Sequence, residues 1–151
     1  MLFIGESRPD NGTFFYDGNS NLARYTREAF SPDGGPVPEM ERFLEEFQAA
    51  GCFLVDLCPQ SVNQLPHVER GEARLEGERA LATTLAELRP LTIVVVMRGI
   101  ADNVEQAILQ AELSEVPVFV LPFPAMGHQR AYVAGLRQVL VELREAGVLD
   151  Q

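Results

Sequence analysis

The chain has 151 residues, 46% hydrophobic and 23% charged, the size and composition of one globular domain with a single core. Its twelve basic residues are all arginine and leave a net charge of −10, a field that repels nucleic acid unless a local basic patch overcomes it. No segment approaches the roughly 20 consecutive apolar residues of a membrane span, and no charged-then-apolar leader opens the chain, so a cytoplasmic protein without a signal peptide is expected.

The first element is a short buried strand, Leu2–Ile4, that stops at Gly5. A polar segment, Glu6 to Gly12, leads into Phe14-Phe15-Tyr16 and Gly18-Asn19. Three consecutive aromatics in a glycine-flanked loop are costly to expose, so the loop either folds down onto the protein or stacks on something flat. Ser20 or Asn19 can cap a helix over 21–30, and Ser31 to Pro36 is a loop. Met40, Phe43, Leu44 and Phe47 lie on one face of a helix over 38–50, which Gly51 ends. Cys52–Leu57 reads as a second buried strand and 59–69 as a polar loop.

A helix follows over 71–88, with Leu75, Leu81, Leu85 and Leu88 pointing inward. The run Ile93-Val94-Val95-Val96 has no alternation, the mark of a strand buried on both faces of a parallel sheet, and that strand spans 91–97. A helix over 101–113, a fourth strand over 116–121, a loop over 122–129 and a closing helix over 130–148 complete the order. Strands alternating with helices imply a three-layer α/β/α domain spanning 1–151, built on a four-stranded parallel sheet with right-handed crossovers. In such sheets the loops leaving the strands' carboxyl ends hold the ligand; here those are 6–16, 58–66 and 122–129.

Cys52 and Cys58 lie roughly 20 Å apart at ~3.3 Å per extended residue, too far to bridge, and with two scattered histidines they make no zinc pattern. No metal and no other cofactor is expected.

Gly5-Glu6-Ser7, Gly12-Thr13-Phe14-Phe15 with Gly18-Asn19, Val55-Asp56-Leu57-Cys58-Pro59, and Leu121-Pro122-Phe123-Pro124-Ala125-Met126-Gly127-His128 occur in that order. Together they resemble the motifs of the uracil-DNA glycosylase superfamily over nearly the whole chain. The resemblance implies sheet order 2-1-3-4 and a slot for a flipped base, with Phe15 stacking on the base, Asp56 reading its edge and the last loop wedging into the duplex. The chain departs from the pattern in several places, among them Arg8, which displaces the motif's proline to Pro9. Ser7 stands where the superfamily usually has a water-positioning Asp or Asn, and Phe123 where a His or Asn stabilises the departing base. Two cysteines cannot ligate the iron–sulfur cluster of one branch.

Base excision needs a flat slot, an edge reader, charge stabilisation and usually a carboxylate that holds water. Glu6 is the carboxylate at the first strand's exit and Ser7 the adjacent hydroxyl; these are the candidate catalytic residues. Otherwise Glu6 pins the loop through backbone N–H groups and Ser7 ties down a turn. Phe15, Asp56 and Phe123 are the candidate base-binding residues. Arg8, His128 and Arg130 are candidates for a small basic rim that contacts phosphates.

The expected function is a divergent glycosylase-like protein that excises or binds a nucleobase with altered or reduced activity. Its partner would be damaged or single-stranded DNA, or a free nucleobase or nucleotide, with no membrane and no metal. The alternative is a non-catalytic nucleotide- or protein-binding member of the same fold. Gly5-Glu6-Ser7 also resembles the opening of SGNH ester hydrolases, but no Asp stands three residues before His67 or His128 to complete a triad. No Gly-x-Gly-x-x-Gly follows the first strand, which argues against a dinucleotide site.

Overall fold

Apolar β-branched and aromatic runs build the sheet. In the computed structural model, which describes residues 1–150, Leu2–Gly5 (β1), Phe53–Asp56 (β2), Ile93–Val95 (β3) and Val118–Val120 (β4) form a four-stranded sheet in the order β2-β1-β3-β4. The β1–β3 and β3–β4 pairs are parallel, with Leu2 opposite Ile93 and Ile93 opposite Val118. The five helices are Asn21–Phe30 (α1), Met40–Ala49 (α2), His67–Leu88 (α3), Ala101–Gln110 (α4) and Gln129–Glu145 (α5). β1 and β3 are buried at every residue, as expected of central strands with both faces covered, and the arrangement is consistent with a three-layer α/β/α fold.

The chain forms two compact units, each made of two segments. The first comprises Met1–Gly12 and Leu54–Val120. Its core sets Leu2, Ile4, Ile93 and Val95, from one face of the sheet, against Leu81 and Leu85 of α3 and Val104 and Ile108 of α4. Gly77 lets α3 approach the end of β2 closely: a Cβ there would lie 2.3 Å from the Leu57 carbonyl oxygen.

The second unit comprises Thr13–Phe53 and the chain from Leu121 onward. Ser20 caps α1, its Oγ accepting from the Ala23 N–H at 3.1 Å. Asn19 instead accepts from the Phe14 N–H at 2.8 Å and braces the preceding turn. The rings of Phe15, Phe30, Phe43 and Phe47 meet in one aromatic cluster, with centroids 5.2–5.8 Å apart. A buried hydrogen bond of 2.7 Å joins Thr26 of α1 to Tyr132 of α5.

Several expectations are corrected. The second strand is not buried: β2 lies at the sheet edge and Phe53 is half exposed. The polar segment after it does not run to residue 69, because α3 already starts at His67 behind Pro66, whose fixed φ suits a helix entrance. Leu75 and Leu88 face solvent, because α3 presents Gly77, Leu81 and Leu85 to the core instead. Among the described residues, no helix is long and apolar enough to cross a membrane.

Candidate functional site

Three strand exits of the first unit carry the chemistry. β1 ends at Gly5 and delivers Glu6 into a buried position, 5% exposed. An isolated carboxylate there would be expensive, and two guanidiniums of α3 compensate it. Arg70 donates through Nε to Glu6 Oε2 at 2.9 Å and through Nη2 to Oε1, a bidentate fork. Arg74 donates through Nε to Oε2 at 2.6 Å. Residues 70 and 74 are one helical turn apart and share a face, so both reach the same carboxylate. Arg74 also donates through Nη1 to the Gly99 carbonyl oxygen at 3.1 Å, which ties the exit of β3 into the cluster.

Burial alone would raise the Glu6 pKa, but the hydrogen bonds and charges of Arg70 and Arg74 outweigh it and hold Glu6 below the usual carboxylate range. Glu6 is therefore an ionised anchor with both oxygens engaged.

Asp56, the last residue of β2, is its opposite. Its Oδ1 lies 2.8 Å from where a Cβ on Gly5 would be, so glycine at position 5 makes room for the carboxyl. Desolvation, and then the negative charge of Glu6, push Asp56 up to about 6. Both arginines bond Glu6, and no hydrogen bond reaches the Asp56 carboxyl among the described residues. Near neutral pH it exchanges between an acceptor-only carboxylate and a carboxylic acid that both donates and accepts. Cys58, two residues on, is a free buried thiol pushed up to about 11 by burial and by Glu6, so it stays protonated and unreactive.

The connecting loops are pinned beside the cluster. Ser7 Oγ accepts from the Val62 N–H at 3.1 Å, the turn-tying role, and Asn63 donates to Asp10 at 3.1 Å. Backbone N–H groups of Leu57 and Cys58 bond the carbonyls of Gly5 and Glu6, both at 2.8 Å, extending the β1–β2 pairing past the strand ends. Arg8 is exposed on the same loop as Ser7.

The first unit thus brings Glu6, Ser7, Arg8 and Asp56 onto the exits of β1 and β2. Phe15, Phe123, His128 and Arg130 belong to the second unit. Phe15 is withdrawn from solvent, its ring against Phe47 and Tyr16. Phe123 is half-buried, His128 is exposed at the start of α5 without a side-chain cap bond, and Arg130 is exposed in the helix's first turn. Met126, 93% exposed at a φ of 54°, forms the tip of the preceding loop.

The residues absent from the sequence reading are Arg70 and Arg74. Their signal was an arginine pair at i,i+4 just after the loop that leaves a strand, together with one carboxylate at the neighbouring strand exit that needed a partner. Among the described residues, no group of three His, Cys, Asp or Glu side chains is arranged to hold a metal. No protein-family profile and no curated protein sequence matches the chain.

Proposed function

We propose that the protein is a nucleobase-binding relative of the uracil-DNA glycosylase fold in which Asp56 reads the base edge and Glu6 is a structural anchor rather than a water-activating base. One observation carries this reading: of two neighbouring carboxyls, Glu6 has both oxygens engaged by arginines, while the Asp56 carboxyl has no hydrogen-bond partner among the described residues and a pKa of about 6. A carboxylate saturated by guanidiniums is a poor proton acceptor. A protonated Asp56 offers one donor and one acceptor side by side, the complement of the N–H and C=O on the edge of uracil or hypoxanthine. The motif resemblance supports the same assignment for Asp56, and Ser7 and Phe123 stand where excision chemistry would want an Asp or Asn and a His or Asn.

Titration calorimetry with uracil, hypoxanthine and cytosine across pH 5–8 tests this reading. Uracil and hypoxanthine should bind more tightly as pH falls through about 6. Asp56→Asn, which keeps one donor and one acceptor, should retain binding without the pH dependence. Asp56→Ala should lose about tenfold or more, the loss of one to two hydrogen bonds at ~1.4 kcal/mol per decade. Binding indifferent to pH and to Asp56→Ala would refute it.

A second reading, excision with Asp56 as the base that holds water, draws on the same pKa, since a general base works best when its pKa lies near the working pH. Single-turnover cleavage of oligonucleotides carrying uracil, hypoxanthine, xanthine or mismatched thymine separates the two readings. Excision abolished by Asp56→Asn and preserved in Glu6→Gln would establish catalysis, and no cleavage alongside base binding would leave the binding role.

A further inference from the structure

The open edge of β4 carries a feature independent of the site at the strand exits. The Ile93 N–H donates to the Pro117 carbonyl at 3.0 Å, and Ile93 lies opposite Val118 in a parallel register. In a parallel ladder, alternate residues bond the same neighbour. Phe119 therefore turns its backbone groups toward β3, and Val118 and Val120 turn theirs outward, where no strand follows. These two residues are 41% and 44% exposed, the signature of an open sheet edge.

Beside this edge runs a groove of about 350 Å³. Val116, Val118 and Val120 form one wall, and Leu109, 52% exposed, lies on the α4 side. The charged residues lining it, Asp102 and Glu105, are both acidic, and no arginine does. Asp102, Glu105 and Leu109 follow one another at helical spacing along one side of α4.

From the outward backbone groups, the apolar wall and the one-signed rim, we infer that the β4 edge is a docking site for an extended peptide segment of another protein, one that adds a strand to the sheet and carries an apolar and a basic side chain at successive positions of its groove-facing side, two residues apart. Main-chain pairing with Val118 and Val120 supplies the register, a groove-facing apolar side chain packs along β4 and Leu109, and a groove-facing arginine or lysine two residues away meets Asp102 and Glu105. A second copy of this chain is the poorer occupant, because it would bring the same carboxylates and another net charge of −10 against the rim.

The test uses capped seven-residue peptides with valine and arginine at successive positions of one face and threonine on the other, the same peptide with glutamate in place of arginine, and the arginine peptide N-methylated at alternate residues on each edge in turn. The arginine peptide should bind at least tenfold more tightly than the glutamate one. Methylation of the pairing edge should cost tenfold or more and methylation of the other edge little, which separates strand addition from general attraction of a cation to an acidic protein. The Asp102→Lys and Glu105→Lys double variant should weaken binding at least tenfold, and the amide resonances of Val118 and Val120 should shift on titration while those of α5 do not. Equal binding of both charges, indifference to methylation on either edge, shifts confined to other surfaces, or no binding would each overturn the proposal. So would a dimer in sedimentation that Val118→Lys dissociates, since that result assigns the edge to a second copy.

Discussion

Glu6 and Asp56, neighbours at the exits of adjacent strands, are shifted in opposite directions: Glu6 is held ionised by Arg70 and Arg74, and Asp56 is pushed toward its protonated form by burial and by Glu6 itself. The same negative charge that the arginines stabilise on one residue makes ionisation costly on the next. This pairing of an anchored carboxylate with an unanchored one shapes the stability of the protein as well as its proposed chemistry.

Stability should therefore depend on pH through both groups, with opposite signs. The Asp56 pKa rises from 3.8 unfolded to about 6 folded, so the folded state holds the extra proton between those values and stability falls as pH rises through them. At neutral pH the cost is at most about 3 kcal/mol, a shift of roughly two units at 1.36 kcal/mol each. The Glu6 pKa is lowered from 4.5, so its contribution is present above that pH and is lost as pH falls through its folded value. For these two groups the optimum lies between about pH 4 and 5. Urea unfolding from pH 4 to 8 should show a decline toward neutrality that Asp56→Asn removes.

Glu6→Gln should destabilise strongly. It leaves two guanidiniums facing each other across a neutral amide, and removing one partner of a buried ion pair costs about 3–5 kcal/mol. Glu6→Gln combined with Arg74→Met should recover part of that loss, because one unpaired cation has gone. A change below about 1 kcal/mol in denaturant unfolding would mean that the cluster contributes little.

Gly77→Ala is informative because two effects oppose each other. Alanine in a helix interior is favoured over glycine by roughly 0.5–1 kcal/mol. The new Cβ, however, would meet the Leu57 carbonyl at 2.3 Å, and backbone cannot swing away as a side chain can. Overpacking of that kind costs about 1–3 kcal/mol, so the net effect should be a lower thermal midpoint.

In the second unit, Tyr132→Phe removes the 2.7 Å bond to Thr26 and leaves a buried hydroxyl unsatisfied. The expected loss is about 1–3 kcal/mol. Thr26→Val added to Tyr132→Phe should cost less than the sum of the single changes, because no orphan hydroxyl then remains.

How much of this was legible in the sequence depended on how local each feature is. The central strands were readable because Ile93-Val94-Val95-Val96 permits burial on both faces. The order 2-1-3-4 came only with the motif resemblance. Edge status was not readable: the apolar run Cys52–Leu57 looks as buried as the central strand, although β2 has one neighbour and Phe53 faces water. The start of α3 was hidden because polar residues around Arg70 read as loop, although Pro66 marked the entrance. Leu75 and Leu88 misled because helical spacing alone does not say which of two apolar stripes meets the sheet. In the site, Glu6 and Asp56 stood out as carboxyls at strand exits. The partners of Glu6 did not, because its bonds to Arg70 and Arg74 span 64 and 68 residues and only the fold brings them together. Phe15 shows the same limit: an aromatic in a glycine-flanked loop fits a stacking slot and a core equally well, and here the ring lies in the core.

The measurement that tests the central claim most directly is the titration of the Asp56 side-chain carboxyl by carbon-13 NMR, with and without saturating uracil. The account predicts a pKa near 6 in the free protein, raised further when uracil is bound because the base selects the protonated form. An Asp56 pKa in the ordinary range near 4, unmoved by uracil, would contradict it.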